Sequence, residues 1–201
     1  RRLYNDAVPG AKQPRPASGG APVAVVGLGG VRRQDLDDGM RQVRELNDIA
    51  AELASAPRVL CHRDYHASNL MIDGKRRLRV IDHQDARMGP ASYDLVSFLL
   101  DRRSCPPTLA ELRGHRLFFL EERRQCGLGA VDPDDFANEF RLMTIQRGLK
   151  ATGTFSYQTA VSGRGTVYQP FIQPTLEIVL QAALWLDRFP TLQRMLKERI
   201  N

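Results

Sequence analysis

The sequence predicts a mainly α-helical chain carrying one small β-hairpin. Apolar residues recur every three or four positions between Asp35 and Leu53 and again after Pro90, the spacing that gives a helix one apolar face. Between these stretches, the short apolar runs Leu70-Met71-Ile72 and Leu78-Arg79-Val80-Ile81 flank the turn Asp73-Gly74-Lys75, which reads as a hairpin. Residues 1–30 follow neither pattern, because Pro9-Gly10, Pro14, Pro16, Ser18-Gly19-Gly20 and Pro22 interrupt any regular element. The expected organisation is therefore an irregular tail or linker at 1–30 and a helical lobe at 31–201.

Each element follows from local chemistry. Pro22 to Gly30 is apolar and Gly-rich, but Arg32 stands where the third glycine of GxGxxG belongs, so a flexible segment is favoured over a phosphate cradle. Met40, Val43, Leu46, Ile49 and Leu53 form the apolar face of a first helix, which Pro57 ends. Arg58-Val59-Leu60-Cys61 reads as a short extended segment. Asp-Gly favours the hairpin turn because both residues tolerate positive φ. The hairpin brings its outer ends, Asn69 and Asp82, close together.

After Pro90 the chain reads as helical. Ser92 to Arg103 carries Leu95, Val96, Phe98, Leu99 and Leu100, and a longer helix starts at Pro107 or Thr108 and stops at Gly127. Asp132-Pro133-Asp134-Asp135 is a helix start, with an Asp cap, Pro in the first turn and acids facing the helix dipole. Ser162-Gly163-Arg164-Gly165 interrupts the helical pattern. The last helices are expected near 173–189 and 191–199, split by Pro190.

Composition narrows the function classes. The chain has 201 residues, 42% of them hydrophobic, enough for a sizeable core. Net charge is +6, yet the arginines are scattered among acids, and the dense group Lys75-Arg76-Arg77-Arg79 sits beside the hairpin turn, so no nucleic-acid partner is expected. Cys61, Cys105 and Cys126 are odd in number and lack CxxC spacing, which argues against a disulfide framework or a zinc knuckle. No apolar run reaches the length of a membrane span and no signal-peptide core follows the first residues, so a cytoplasmic protein is expected.

The segment His62-Arg63-Asp64-Tyr65-His66-Ala67-Ser68-Asn69, followed by Ile81-Asp82-His83-Gln84-Asp85, carries the chemistry. A kinase catalytic loop reads H-R-D-x-x-x-x-N and is followed by a metal-binding Asp. Phosphoryl transfer from ATP needs a carboxylate to orient the attacking hydroxyl, and hard oxygen ligands for magnesium. In that geometry Asp64 faces the substrate, and Asn69 and Asp82 face the metal.

With these residues in view, the chain resembles the helical lobe of the aminoglycoside phosphotransferase and choline kinase-like superfamily. Within it, the resemblance is to bacterial anomeric amino-sugar kinases, which phosphorylate the C1 hydroxyl of N-acetylmuramate and N-acetylglucosamine for cell-wall recycling. The residues are Cys61 to Met71, Val80 to Ala86, Gly89-Pro90, Tyr93-Asp94-Leu95-Val96-Ser97 and Gln146 to Phe155. The resemblance implies a protein kinase-like C-terminal lobe, a sugar and ATP as substrates, and magnesium. Asp64 would be the catalytic base, and Asn69 and Asp82 the magnesium ligands. Asp94 would brace the catalytic loop, or simply cap its own helix. His62 and Arg63 would brace the loop rather than react. Asp85 would contact the sugar or accept backbone N–H bonds. His66 would donate to phosphate or face solvent. Arg147 and Lys150, three apart on one helix face, would line the substrate side or form a solvated basic face, and Gln146 is equally open.

Departures from the family pattern set the alternatives. The N-terminal nucleotide lobe, with its sheet, phosphate loop and Lys–Glu pair, is not read in this sequence. Exposed apolar surface is expected where such a lobe would dock. His83 replaces an aromatic residue after the metal Asp, and Gly148 stands where a His is common. A non-catalytic binding module derived from a kinase is one alternative. A metallohydrolase is another, with His62, Asp64 and His66 facing one zinc and Asp82 or His83 added.

Overall fold

Helix α1 (Arg33–Ser55) leads into strand β1 (Arg58–Cys61) in the computed structural model, which describes residues 33–101 and 106–200. A single 3-10 turn (Ala67–Asn69) precedes β2 (Leu70–Ile72), β3 (Leu78–Val80) and β4 (Arg87–Pro90). The rest is helical: α2 (Ser92–Leu99), α3 (Leu109–Gln125), α4 (Pro133–Ala160), the short α5 (Gly165–Tyr168), α6 (Ile172–Leu186) and α7 (Pro190–Ile200). The tail or linker expected at 1–30, and with it the Gly-rich patch, lies outside the described residues. The mostly helical expectation holds.

The strands form two separate antiparallel ribbons, not the single hairpin expected. β2 pairs with β3, with Leu70 opposite Val80 and Ile72 opposite Leu78. β1 pairs with β4, with Arg58 opposite Pro90 and Cys61 opposite Arg87. The β2–β3 turn also differs from the expectation. Positive φ falls on Arg76 (58°), not on Asp73 or Gly74. The Asp73 carboxylate organises the turn, accepting from the backbone N–H of Lys75 (2.8 Å) and Arg77 (2.9 Å) and pairing with Arg77 and Arg79. The basic group at the turn is thus partly neutralised locally.

Helix α4 is the central element, packed against α1, α2, α3 and α6. Its Phe140, Met143 and Ile145 share a core with Ile49 and Leu53 of α1, Val96 of α2, Val179 and Ala183 of α6, and Leu192 and Leu196 of α7. Asp132 caps α4 through the N–H groups of Asp134 and Asp135, as its sequence requires. Thr108 and Glu111 form a capping box on α3. Glu45 of α1 caps α7 from a distance, accepting from Thr191 N–H (2.9 Å) and Leu192 N–H (2.8 Å). Pro190 starts α7 rather than merely separating two helices.

The α1 face is buried only in its C-terminal half. Ile49 and Leu53 enter the core, whereas Met40 and Val43 are exposed. Apolar exposure is also marked on the ribbons, where Leu60, Met71, Ile72, Leu78 and Met88 face solvent. Among the described residues no helix is long and apolar enough to cross a membrane.

Candidate active site

The motif loop begins where β1 ends and is held from below by α2. Cys61 is buried, and its thiol donates to Pro90 O at 3.3 Å across the β1–β4 ribbon. Burial, reinforced by the Asp94 charge, pushes this thiol up to about 11. Gly89 lies opposite, where a Cβ would come 3.1 Å from the Cys61 sulfur. The next residues turn sharply, with Arg63 at φ 73°. That left-handed conformation is unfavourable for a non-glycine residue and needs outside support. Asp94, in the first turn of α2, accepts from the backbone N–H of both His62 (2.6 Å) and Arg63 (2.8 Å). Its carboxylate engages the loop and does not cap its own helix. The N–H of Ser92 is taken instead by Glu139 of α4 at 2.9 Å.

Asp64, His66 and Asn69 meet at the far side of the loop. The Asn69 side-chain amide donates to Asp64 O (2.9 Å) and Asp64 Oδ2 (3.0 Å). His66 Nε2 lies 3.2 Å from Asp64 Oδ1. Asn69 is buried while the Asp64 carboxylate is about half exposed, so the carboxylate is fixed on one side and open on the other.

The two outer ends of the β2–β3 hairpin meet. The N–H of Ile81 donates to Asn69 O at 3.0 Å, extending the ribbon by one pair beyond Leu70 and Val80. Asp82 follows immediately in a left-handed conformation, φ 68°. The His62 ring reaches across the loop, its Nε2–H donating to Ile81 O at 2.9 Å. His62 therefore ties the motif loop to the peptide preceding Asp82. Asp82 Oδ1 accepts from Gln84 Nε2 at 2.7 Å.

A cleft of about 440 Å³ opens beside this loop, lined by Asp64, His66, Arg147, Gly148, Phe155 and Phe171 among others. Its size falls within the usual range for small-molecule sites. Of the three residues from 146 to 150 singled out in the sequence, Arg147 lines the cleft, whereas Gln146 and Lys150 are exposed and outside it. Asp85 is exposed in the turn closed by Ala86 N–H to His83 O (3.0 Å), and does not line the cleft. His83 borders a different, largely apolar cleft with Tyr65, Phe98 and Phe118. Gly148 has a packing reason: a Cβ there would lie 2.3 Å from Val179 Cγ2. Tyr93, to which sequence reasoning gave no role, takes the Arg147 guanidinium over its ring at 4.3 Å and that of Arg63 at 5.9 Å. Its position beside Asp94 was the available signal.

The oxygen donors suit a hard divalent cation. Asn69 spends its amide N–H on Asp64, and its Oδ1 accepts no hydrogen bond among the described residues. Asp82 would supply a carboxylate from the adjoining strand end. One carboxylate and one amide oxygen form a typical protein share of a magnesium shell. The zinc alternative gains no support from the geometry. The His62 ring is turned to Ile81 O, and among the described residues no group of three His, Cys, Asp or Glu side chains could hold a metal.

Residues 26–127 match the phosphotransferase enzyme family (APH). A stretch of 119 residues is 38% identical to the N-acetylmuramate/N-acetylglucosamine kinase of Neisseria meningitidis serogroup B, covering 55% of this chain and 33% of that protein. A stretch of 103 residues is 35% identical to the enzyme of the same name in Pseudomonas aeruginosa, covering 50% of this chain and 29% of that protein. The chain thus spans about a third of the length of these curated relatives.

Proposed function

The chain belongs to the phosphotransferase enzyme family, and on that premise we propose that it is the acceptor-binding and metal-binding lobe of an ATP-dependent sugar kinase. The acceptor is an amino sugar such as N-acetylmuramate or N-acetylglucosamine, in line with the names of the relatives it matches. The observation that carries this reading is the convergence of Asp64, Asn69 and the Ile81–Asp82 peptide at one loop beside a cleft.

The residues divide the work. Asp64 accepts the proton of the sugar hydroxyl as that oxygen bonds to the γ-phosphorus of ATP and the bond to ADP breaks. Its open side faces the cleft, and its closed side is fixed by Asn69. Asn69 and Asp82 would hold magnesium, which would neutralise phosphate charge. Asp94 and His62 act as positioning residues. Asp94 satisfies the loop N–H groups, and His62 couples the loop to the Asp82 peptide. His66, which lines the same cleft as Asp64, would donate to a phosphoryl oxygen. Fixed dipoles and charges of this kind supply most of the catalysis in phosphoryl transfer.

The nucleotide's remaining contacts fall to a second lobe. The exposed apolar residues Met71, Ile72 and Leu78 sit on the hairpin that carries Asn69, which supports docking of such a lobe there.

The test is transfer from ATP to N-acetylmuramate and N-acetylglucosamine, followed by phosphorus NMR, with a strand-rich nucleotide lobe fused ahead of the chain. A sugar phosphate forms with magnesium, and Asp64→Asn lowers the rate by roughly a hundredfold or more. Sugar binding without any transfer would select the non-catalytic module instead.

A further inference from the structure

The cleft beside Asp64 is lined by an arginine, Arg147, that is left without an ion pair among the described residues. The hydroxyl side chains of the cleft donate to helix carbonyls: Ser97 to Tyr93 O (2.9 Å), Thr144 to Phe140 O (2.8 Å) and Thr175 to Phe171 O (2.6 Å). Arg147 is half-buried in this lining, yet among the described residues it forms no ion pair and no hydrogen bond. Its guanidinium lies over the face of Tyr93 at 4.3 Å. Asp101 also lines the cleft. Other arginines behave differently, with Arg188 paired to Glu52, Arg194 to Asp38 and Arg124 to Glu121.

A guanidinium cannot shed its proton to escape partial burial. Stacking on one aromatic ring offsets only part of the desolvation and leaves the in-plane N–H groups unused. Those N–H groups form a planar fork that matches a carboxylate. Tyr93 also fixes where the fork sits. It neighbours Asp94, whose carboxylate holds the backbone of His62 and Arg63 just before Asp64. Arg147 and Asp64 are thereby referenced to the same turn of α2. A ligand with its hydroxyl at Asp64 can place an anion on Arg147.

We propose that Arg147, stacked on Tyr93 in the cleft it shares with Asp64, is the specificity residue for the acceptor and selects amino sugars that carry a carboxylate over neutral ones. This inference rests on the sugar-kinase reading and names the substrate class within it. Lys150 and Gln146, outside the cleft, have no part in the selection.

The test measures calorimetric affinities of the chain for N-acetylmuramate, its methyl ester and N-acetylglucosamine, without nucleotide. The wild-type chain binds the free acid more tightly than either neutral sugar. Arg147→Met weakens the free acid about tenfold or more, as expected for a lost charged hydrogen-bonded pair, and changes the neutral sugars less than about twofold. Arg147→Lys recovers part of the preference, which a purely structural role for the side chain would not produce. Equal weakening of all three sugars, or no change in any of them, overturns the inference while leaving the sugar-kinase reading intact. The second of those outcomes is the one expected if Arg147 serves a nucleotide phosphate. Failure of the wild-type chain to bind any of the three sugars overturns the acceptor assignment and this inference with it.

Discussion

The carboxylate of Asp94 receives the backbone N–H of His62 at 2.6 Å, and its second oxygen receives that of Arg63 at 2.8 Å. One side chain on α2 therefore satisfies two consecutive peptides at the turn where Arg63 is left-handed. Asparagine at this position keeps the shape but offers only one acceptor, and its amide N–H₂ would face a donor. Asp94→Asn should destabilise the chain by about 1–3 kcal/mol, the usual range for leaving such a group unsatisfied. Urea unfolding would read this as a lower midpoint with an unchanged slope.

Gly148 sets the distance between α4 and α6. A methyl group there would meet Val179 Cγ2 at 2.3 Å, and Val179 is fully buried. Gly148→Ala should cost about 1–3 kcal/mol through overpacking, despite the gain in helix propensity. Val179→Ala in the same chain should recover part of that loss, so the two changes should be non-additive in a double-mutant cycle.

The two described cysteines differ in reactivity. Cys61 is buried and Cys126 is exposed. Burial first, and the neighbouring Asp94 charge second, hold the Cys61 thiol protonated up to about 11. At pH 8, iodoacetamide should label Cys126 readily and Cys61 only as the chain opens, as read by peptide mass spectrometry. The linkage has a definite sign. Below the ordinary thiol value of 9.0 both folded and unfolded chains are protonated at this residue, and stability is unaffected. Between 9.0 and about 11 the unfolded chain loses the proton first, so stability falls as pH rises through that window. Cys61→Ala should remove that slope.

Glu45 provides the cap that α7 lacks in its own sequence, because Pro190 and Phe189 offer no side-chain acceptor. Glu45→Ala leaves the N–H groups of Thr191 and Leu192 without their partner. The expected cost is about 1–2 kcal/mol. Hydrogen exchange should rise first at the start of α7, since the caps of α3 and α4 are untouched.

Local signals made the helices legible. Thr108 with Glu111, Asp132 with Pro133, and the stop at Gly127 act within a few residues and appear at the expected element ends. The β1–β4 ribbon was not legible. Arg87-Met88-Gly89-Pro90 has no alternation and contains Gly and Pro, and its partner lies some thirty residues away. The Asp73-Gly74 pair marks the turn but not its cause. The Asp73 carboxylate, and a left-handed Arg76, make the turn, which a dipeptide signal does not reveal. At the site, the motif spacing indicated that Asn69 and Asp82 would lie at adjoining strand ends. The separation of Arg147 from Gln146 and Lys150 needed the packing of α4 against α2, because helical periodicity alone puts 147 and 150 on one face.

In the proposed site Asn69 and Asp82 would hold one divalent cation beside Asp64. The most direct measurement adds manganese with ATP to isotope-labelled protein and follows paramagnetic broadening of the amide signals. Broadening should be strongest at Asn69, Ile81 and Asp82, should extend to Asp64, and should disappear in Asp82→Ala while that variant keeps its fold. Broadening centred elsewhere, or broadening at these residues that survives Asp82→Ala, would contradict the account.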